Sequence, residues 1–86
     1  MARTLAQLAL GQSARVTAVS LDGPKRIRLQ ELGFLPGARI TALQESPFGD
    51  PVAYGVLDTV IALRRSDARH IEIDAPHAPV QAKKQL

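Results

Sequence analysis

The sequence predicts a mainly β fold, a small SH3-like five-stranded barrel with one short helix between strands one and two. Three observations point there: short runs in which aliphatic residues alternate with polar ones, a single pair of helix start and stop signals, and turn residues between the runs. Sealing so small a sheet into a barrel removes its edges. Eighty-six residues allow one domain, with a margin over chain entropy of about 3 to 5 kcal/mol. Residues 1–75 are assigned to it; residues 76–86, two of them proline and none in a periodic pattern, are expected to form a disordered tail.

Taken in order, Thr4 to Leu10 carries Leu5, Leu8 and Leu10 behind a threonine that can cap a turn, and Gly11 stops it, so a short helical turn is expected. Strand one, Ala14 to Leu21, alternates with Val16 and Ala18 inward and Arg15 and Thr17 outward. Asp22, Gly23 and Pro24 end it and open a helix from about Pro24 to Leu32. Proline suits the first helical position, and Gly33 suits the left-handed stop. Leu29 and Leu32 share its buried side, while Ile27 lies off that stripe. Strand two, Ala38 to Glu45, points Ile40 and Ala42 inward. Strand three repeats Val52, Tyr54 and Val56 at period two, and strand four runs Val60 to Leu63 with Ile61 and Leu63 inward. Ser66, Asp67 and Ala68 read as one helical turn, and Ile71 with Ile73 as strand five.

Composition excludes several function classes. Without cysteine there is no disulfide framework, thiolate metal site or cysteine nucleophile, and neither a Gly-x-Ser-x-Gly elbow nor a Gly-rich phosphate loop is present, so no enzyme is expected. No run approaches the roughly 20 apolar residues that span a bilayer, and the first residues lack a secretory pattern, so the expectation is a soluble cytoplasmic protein. A sequence isoelectric point near 10.0 raises a nucleic-acid reading. Between Thr4 and Ala75, however, the basic and acidic residues cancel, and the surplus is Arg3, Lys83 and Lys84. An SH3-like module of the ribosome or transcription type is therefore the alternative. A gel shift that weakens steeply with salt is what would favour it.

Three segments carry a resemblance. Arg28-Leu29-Gln30-Glu31-Leu32-Gly33-Phe34-Leu35-Pro36-Gly37 resembles the helix-to-strand signature of FeoA-like domains. Pro47-Phe48-Gly49-Asp50-Pro51-Val52 resembles the next motif of that family, and Ile61-Ala62-Leu63-Arg64 with Asp67-Ala68 and Ile71/Ile73 resembles its closing one. Together they span residues 4 to 74. The resemblance implies support of FeoB, a membrane ferrous-iron transporter with a cytosolic G-protein domain, by a chain recruited through its partner to the inner face of the plasma membrane; weak self-association is left open. A related domain closes metal-dependent repressors, but no helical DNA-binding part is present here. One departure is Leu57-Asp58-Thr59, where the family usually has Gly and an aromatic or small polar residue; Asp58 is the residue expected to tolerate the left-handed region.

Physically, Gly33, Pro36, Gly37, Pro47, Gly49 and Pro51 are read as turn chemistry. The candidate partner-binding residues are Lys25, Arg26, Ile27, Arg28, Phe48 and Asp50: an apolar anchor from Ile27 and the loop residue Phe48, rimmed by charge. Cations at the start of a helix oppose its dipole, which hints at an acidic partner. The bland counterpart is that Phe48 folds back over the barrel end and the cations are solvated. His70, Glu72 and Asp74 alternate on one face of strand five with His77 close by, donors suited to surface zinc or ferrous iron; no cofactor is required by anything else in the chain.

Overall fold

The computed structural model describes residues 3–77. Within them run β1 (Arg3–Thr4), a 3₁₀ turn (Leu5–Gln7), β2 (Ser13–Val19), α1 (Gly23–Leu32), β3 (Arg39–Glu45), β4 (Val52–Val56), β5 (Thr59–Leu63), α2 (Arg65–Ala68) and β6 (Ile71–Ile73). The strands form one antiparallel sheet in the order β1-β6-β2-β3-β4-β5. The mainly β reading from the sequence therefore holds, with one strand more than the five expected. The extra strand lies where leucine spacing read as a helical turn. Arg3 and Thr4 are extended and pair with Ile73 and Glu72, and only then does the chain tighten, with the Thr4 N–H donating to Gln7 Oε1 at 2.9 Å. Leu5 and Leu8 are buried there, whereas Leu10 is half exposed.

Two β-bulges set which side chains face the core. The register of β2 against β6 pairs Val16 with Ile73 and then Ala18 with Glu72, so Thr17 is an extra residue and the phase changes. Ala14 and Val16 are buried as alternation requires, but beyond the bulge it is Val19, not the expected Ala18, that turns inward. A second bulge between Ala42 and Gln44 of β3 leaves Leu43 on the outer face, where a Cβ added to Gly55 would meet its Cδ1 at 3.5 Å.

The core is one cluster that includes Leu5, Phe34, Ile40, Tyr54 and Ile71, all 0–1 % exposed. Its buried polar residue, Ser13, shares a 2.7 Å hydrogen bond with Thr41, so no desolvated hydroxyl is left unpaired there. The two ends of the sheet, β1 and β5, are not bonded to each other. Instead the 3₁₀ turn after β1 meets α2 after β5 and closes that seam, with Ala68 fully buried beneath. Beyond β6 the chain stays attached: His77 and Ser13 exchange backbone hydrogen bonds of 2.7 and 2.8 Å. Pro76 and His77 thus continue the body, and the expected tail, for residues 78–86, lies outside the described residues.

Candidate functional site

α1 owes its position to three neighbouring signals. Asp22 stands extended before it, Pro24 occupies its first turn, and Gly33 ends it at φ 110°, a left-handed stop whose N–H donates to the carbonyls of Gln30 and Leu29. Gly33 is there for space as well as for φ, since a Cβ would sit 2.7 Å from Val56 Cγ1. On this helix Lys25, Arg28, Leu29 and Leu32 follow the i, i+3, i+4, i+7 spacing and so share one face. That face borders an open groove of about 430 Å³ whose opposite wall is β5. Leu29 and Leu63, both buried, with the partly buried Leu32 and Ile61, make an apolar floor; Lys25, Arg28, Arg64 and Asp67 make the rim. The size falls within the roughly 300 to 1,000 Å³ of ordinary binding clefts.

Of the six partner candidates, Lys25 and Arg28 therefore line the groove, and Arg26 and Ile27 lie on the rest of the exposed helix, Ile27 at 56 % exposure. Lys25 Nζ pairs with Asp67 Oδ1 at 3.0 Å, a largely exposed pair worth little in stability. Phe48 does not fold back: it is 97 % exposed at the tip of the loop joining β3 to β4. Asp50 is exposed, and its Oδ1 accepts the Arg65 backbone N–H at 2.9 Å at the start of α2. Gly37 and Gly49 occupy positive φ at 92° and 87°, and Pro36, Pro47 and Pro51 flank these bends, with the Asp50–Pro51 peptide cis.

Sequence reasoning missed Arg65. Its Nε donates to the Gly49 carbonyl at 2.6 Å, one terminal nitrogen pairs with Glu45 at 3.0 Å, and the other reaches the Ala6 carbonyl at 3.4 Å. One guanidinium, using its fork of donors, thus ties the Phe48 loop and the 3₁₀ turn to α2. Nothing local could have found it, since each partner is at least fifteen residues away in sequence. Beneath it lies Tyr54, whose hydroxyl donates to the Leu5 carbonyl at 3.4 Å. Burial holds its pKa above the ordinary tyrosine value; the Arg65 charge opposes that rise and Asp50 adds to it.

Among the described residues no three His, Cys, Asp or Glu side chains gather in a group that could hold a metal ion. His70 lies in the turn before β6, Asp74 Oδ1 accepts the Arg15 N–H at 2.9 Å, and the His77 backbone is bonded to Ser13. The alternation of His70, Glu72 and Asp74 therefore does not bring them together with His77 as a site.

Comparison with known proteins agrees with this architecture. The family model described as FeoA domain matches residues 3–75. An Fe(2+) transport protein A/Fe(2+) transporter FeoB fusion protein of Porphyromonas gingivalis is 40 % identical over 70 residues, 81 % of this chain, while the chain spans only 8 % of that relative's length. The solution structure of iron(II) transport protein A from Clostridium thermocellum superposes with a TM-score of 0.81 at 32 % identity, covering 85 % of this chain and 45 % of that one. The zinc-complexed FeoA of Stenotrophomonas maltophilia, described as a prokaryotic SH3 domain protein, gives 0.76 at 34 % identity over 88 % of this chain and 96 % of that one.

Proposed function

Because this chain belongs to the FeoA family, whose members are linked to ferrous iron transport, we propose that it is a small accessory protein of bacterial ferrous iron uptake that docks on the cytosolic part of a FeoB-type transporter and modulates its flux. One observation carries the reading: in the Porphyromonas gingivalis relative a transport protein A and the transporter FeoB are one fused protein. Fusion keeps two modules at high effective concentration without any strong contact between them. Docking needs an exposed apolar surface, and this chain presents Ile27 among the cations of α1 and Phe48 on the loop joining β3 to β4. Among the described residues no helix is long and apolar enough to cross a membrane, so in this reading the membrane-spanning part belongs to the partner, and the chain works from the cytoplasmic side. No reaction chemistry is assigned to it.

A pull-down with the purified cytosolic region of the cognate transporter, together with ferrous iron uptake in a strain lacking this protein, tests the reading. The expected result is a complex and impaired uptake. Normal uptake with no complex rejects it.

A further inference from the structure

We propose that the free edge of β5 accepts an extended, acidic segment of the partner as an added strand, seated in the groove between β5 and α1. This rests on the docking reading and names the chemistry of the contact. Among the described residues β5 is the last strand of the sheet and pairs only with β4. The two-residue turn between them makes Val56 and Thr59 a bonded pair, and alternation then makes Tyr54 with Ile61 and Val52 with Leu63 bonded pairs. Val60 and Ala62 consequently aim their N–H and C=O groups away from β4. The other side of the sheet agrees: Ala42 exchanges backbone bonds with Gly11 and Gln12, so its neighbour Thr41 bonds to Gly55, whose own backbone then faces away from Val60. Among the described residues neither Val60 nor Ala62 makes a backbone hydrogen bond outside the sheet.

Edges left in this state invite another strand, and proteins that must not be joined guard them with charge, proline, bulges or brevity. The opposite edge, β1, is guarded: it is two residues long and carries Arg3. β5 is not. Its five residues, Thr59-Val60-Ile61-Ala62-Leu63, include no charge and no proline and pair without a bulge, and Val60 is 62 % exposed.

Charge selects the occupant. The rim holds Lys25, Arg28 and Arg64 against Asp67 alone, and the Asp67 carboxylate is already taken by Lys25. Among the described residues Arg28 and Arg64 make no ion pair, which leaves two guanidiniums beside an apolar floor; that suits a segment alternating acidic and apolar residues, one set facing the rim and the other the floor. Residues 78–86 of this chain cannot be that segment on charge grounds, since they contain Lys83 and Lys84 and no acid. A second copy would set the same cations against themselves.

Val60→Pro is the direct test, because proline is tolerated on an edge strand where its missing N–H faces solvent, and there it removes only the donor offered to the incoming strand. The unmodified chain should bind the transporter's cytosolic region, and Val60→Pro should bind it about 10-fold more weakly or worse, with a thermal midpoint near that of the parent. The double variant Arg28→Glu/Arg64→Glu should weaken binding at least as much. In the complex of the unmodified chain, amide exchange at Val60 and Ala62 should slow by about 10-fold or more, a measurement that decides the matter even if the proline unsettles the fold. A complex that forms while these two amides keep their free rates overturns strand addition and leaves docking standing. No complex at all overturns both.

Discussion

The inner wall of this barrel and the margin between α1 and β5 are made from the same aliphatic vocabulary and treat it in opposite ways. Inside, Leu5, Phe34, Ile40, Tyr54 and Ile71 are closed off from water almost completely. At the margin and the neighbouring loop tips, Ile27, Val60, Leu57 and Phe48 stand open, at 56, 62, 80 and 97 % exposure. In so small a chain each apolar side chain withheld from the core is a real loss, about 1.5 to 3 kcal/mol for a residue of this size. The contrast separates two uses of hydrophobicity: one region holds the fold, and the other is left for something outside the chain. Substitutions in the first should cost stability, and those in the second should cost association.

The largest effect belongs to the inner wall. Phe34 is fully buried directly after the helix stop, and Phe34→Ala should cost about 3 to 5 kcal/mol. A domain of this size has no such reserve, so chemical denaturation should find the variant largely unfolded without denaturant. Next comes the hinge between the regions. Gly33→Ala puts an L-residue at φ 110° and a Cβ 2.7 Å from the β-branched, fully buried Val56, which cannot swing aside. Left-handed strain and overpacking together should cost about 2 to 4 kcal/mol in urea unfolding. A cost below 1 kcal/mol would mean that α1 can detach and re-seat, and the sharp division between wall and margin would blur.

The sequence made the wall legible and the margin only half so. Val52, Tyr54 and Val56 alternate without interruption and are buried as read, because β4 is straight and bonded on both sides. Val19 turns inward in place of the expected Ala18 because a bulge is a property of a strand and its partner together, and Thr17 alone carries no sign of it. On the candidate site, the spacing of Lys25, Arg28, Leu29 and Leu32 is readable along the chain. That β5 ends the sheet opposite them is not, since strand order is decided by closure of the whole fold rather than by any local run. Arg65 and Asp50 were illegible for the same reason: their mutual bond joins a loop to a helix fifteen residues on.

Tyr54 allows the wall to be probed with pH. It is the chain's only tyrosine, it is buried, and its pKa stands above the ordinary value of about 10, chiefly because burial disfavours the phenolate. Below about pH 10 the phenol is neutral in both folded and unfolded chains, and its contribution is fully present. As pH rises further the unfolded chain gives up the proton first, so stability is lost progressively through the folded-state pKa. Urea midpoints measured from about pH 8 to 11 should fall more steeply for the parent than for Tyr54→Phe, and phenolate absorbance should rise together with unfolding. Identical slopes would mean that water already reaches the hydroxyl, and that the seam closed by α2 and the 3₁₀ turn is open.

The smallest effect is the most informative about the margin. The hairpin joining β4 to β5 turns at Leu57 and Asp58, and it is Leu57, not the better-suited Asp58, that occupies the left-handed region, at φ 57°. Leucine there is strained by roughly 1 to 2 kcal/mol. Its side chain, 80 % exposed, recovers little of that by packing. Leu57→Gly should relieve the strain and, after the entropy that glycine loses on folding, raise stability by about 0.5 kcal/mol, seen as a higher urea midpoint. If the margin is where the partner sits, the same change should weaken binding to the transporter's cytosolic region, because an apolar side chain presented at the head of β5 has been removed. A variant both steadier and less adhesive would explain why a strained, exposed leucine stands where glycine fits better. One that is steadier and binds as well as the parent would take Leu57 out of the docking surface and confine the contact to the edge of β5 and the groove beside it.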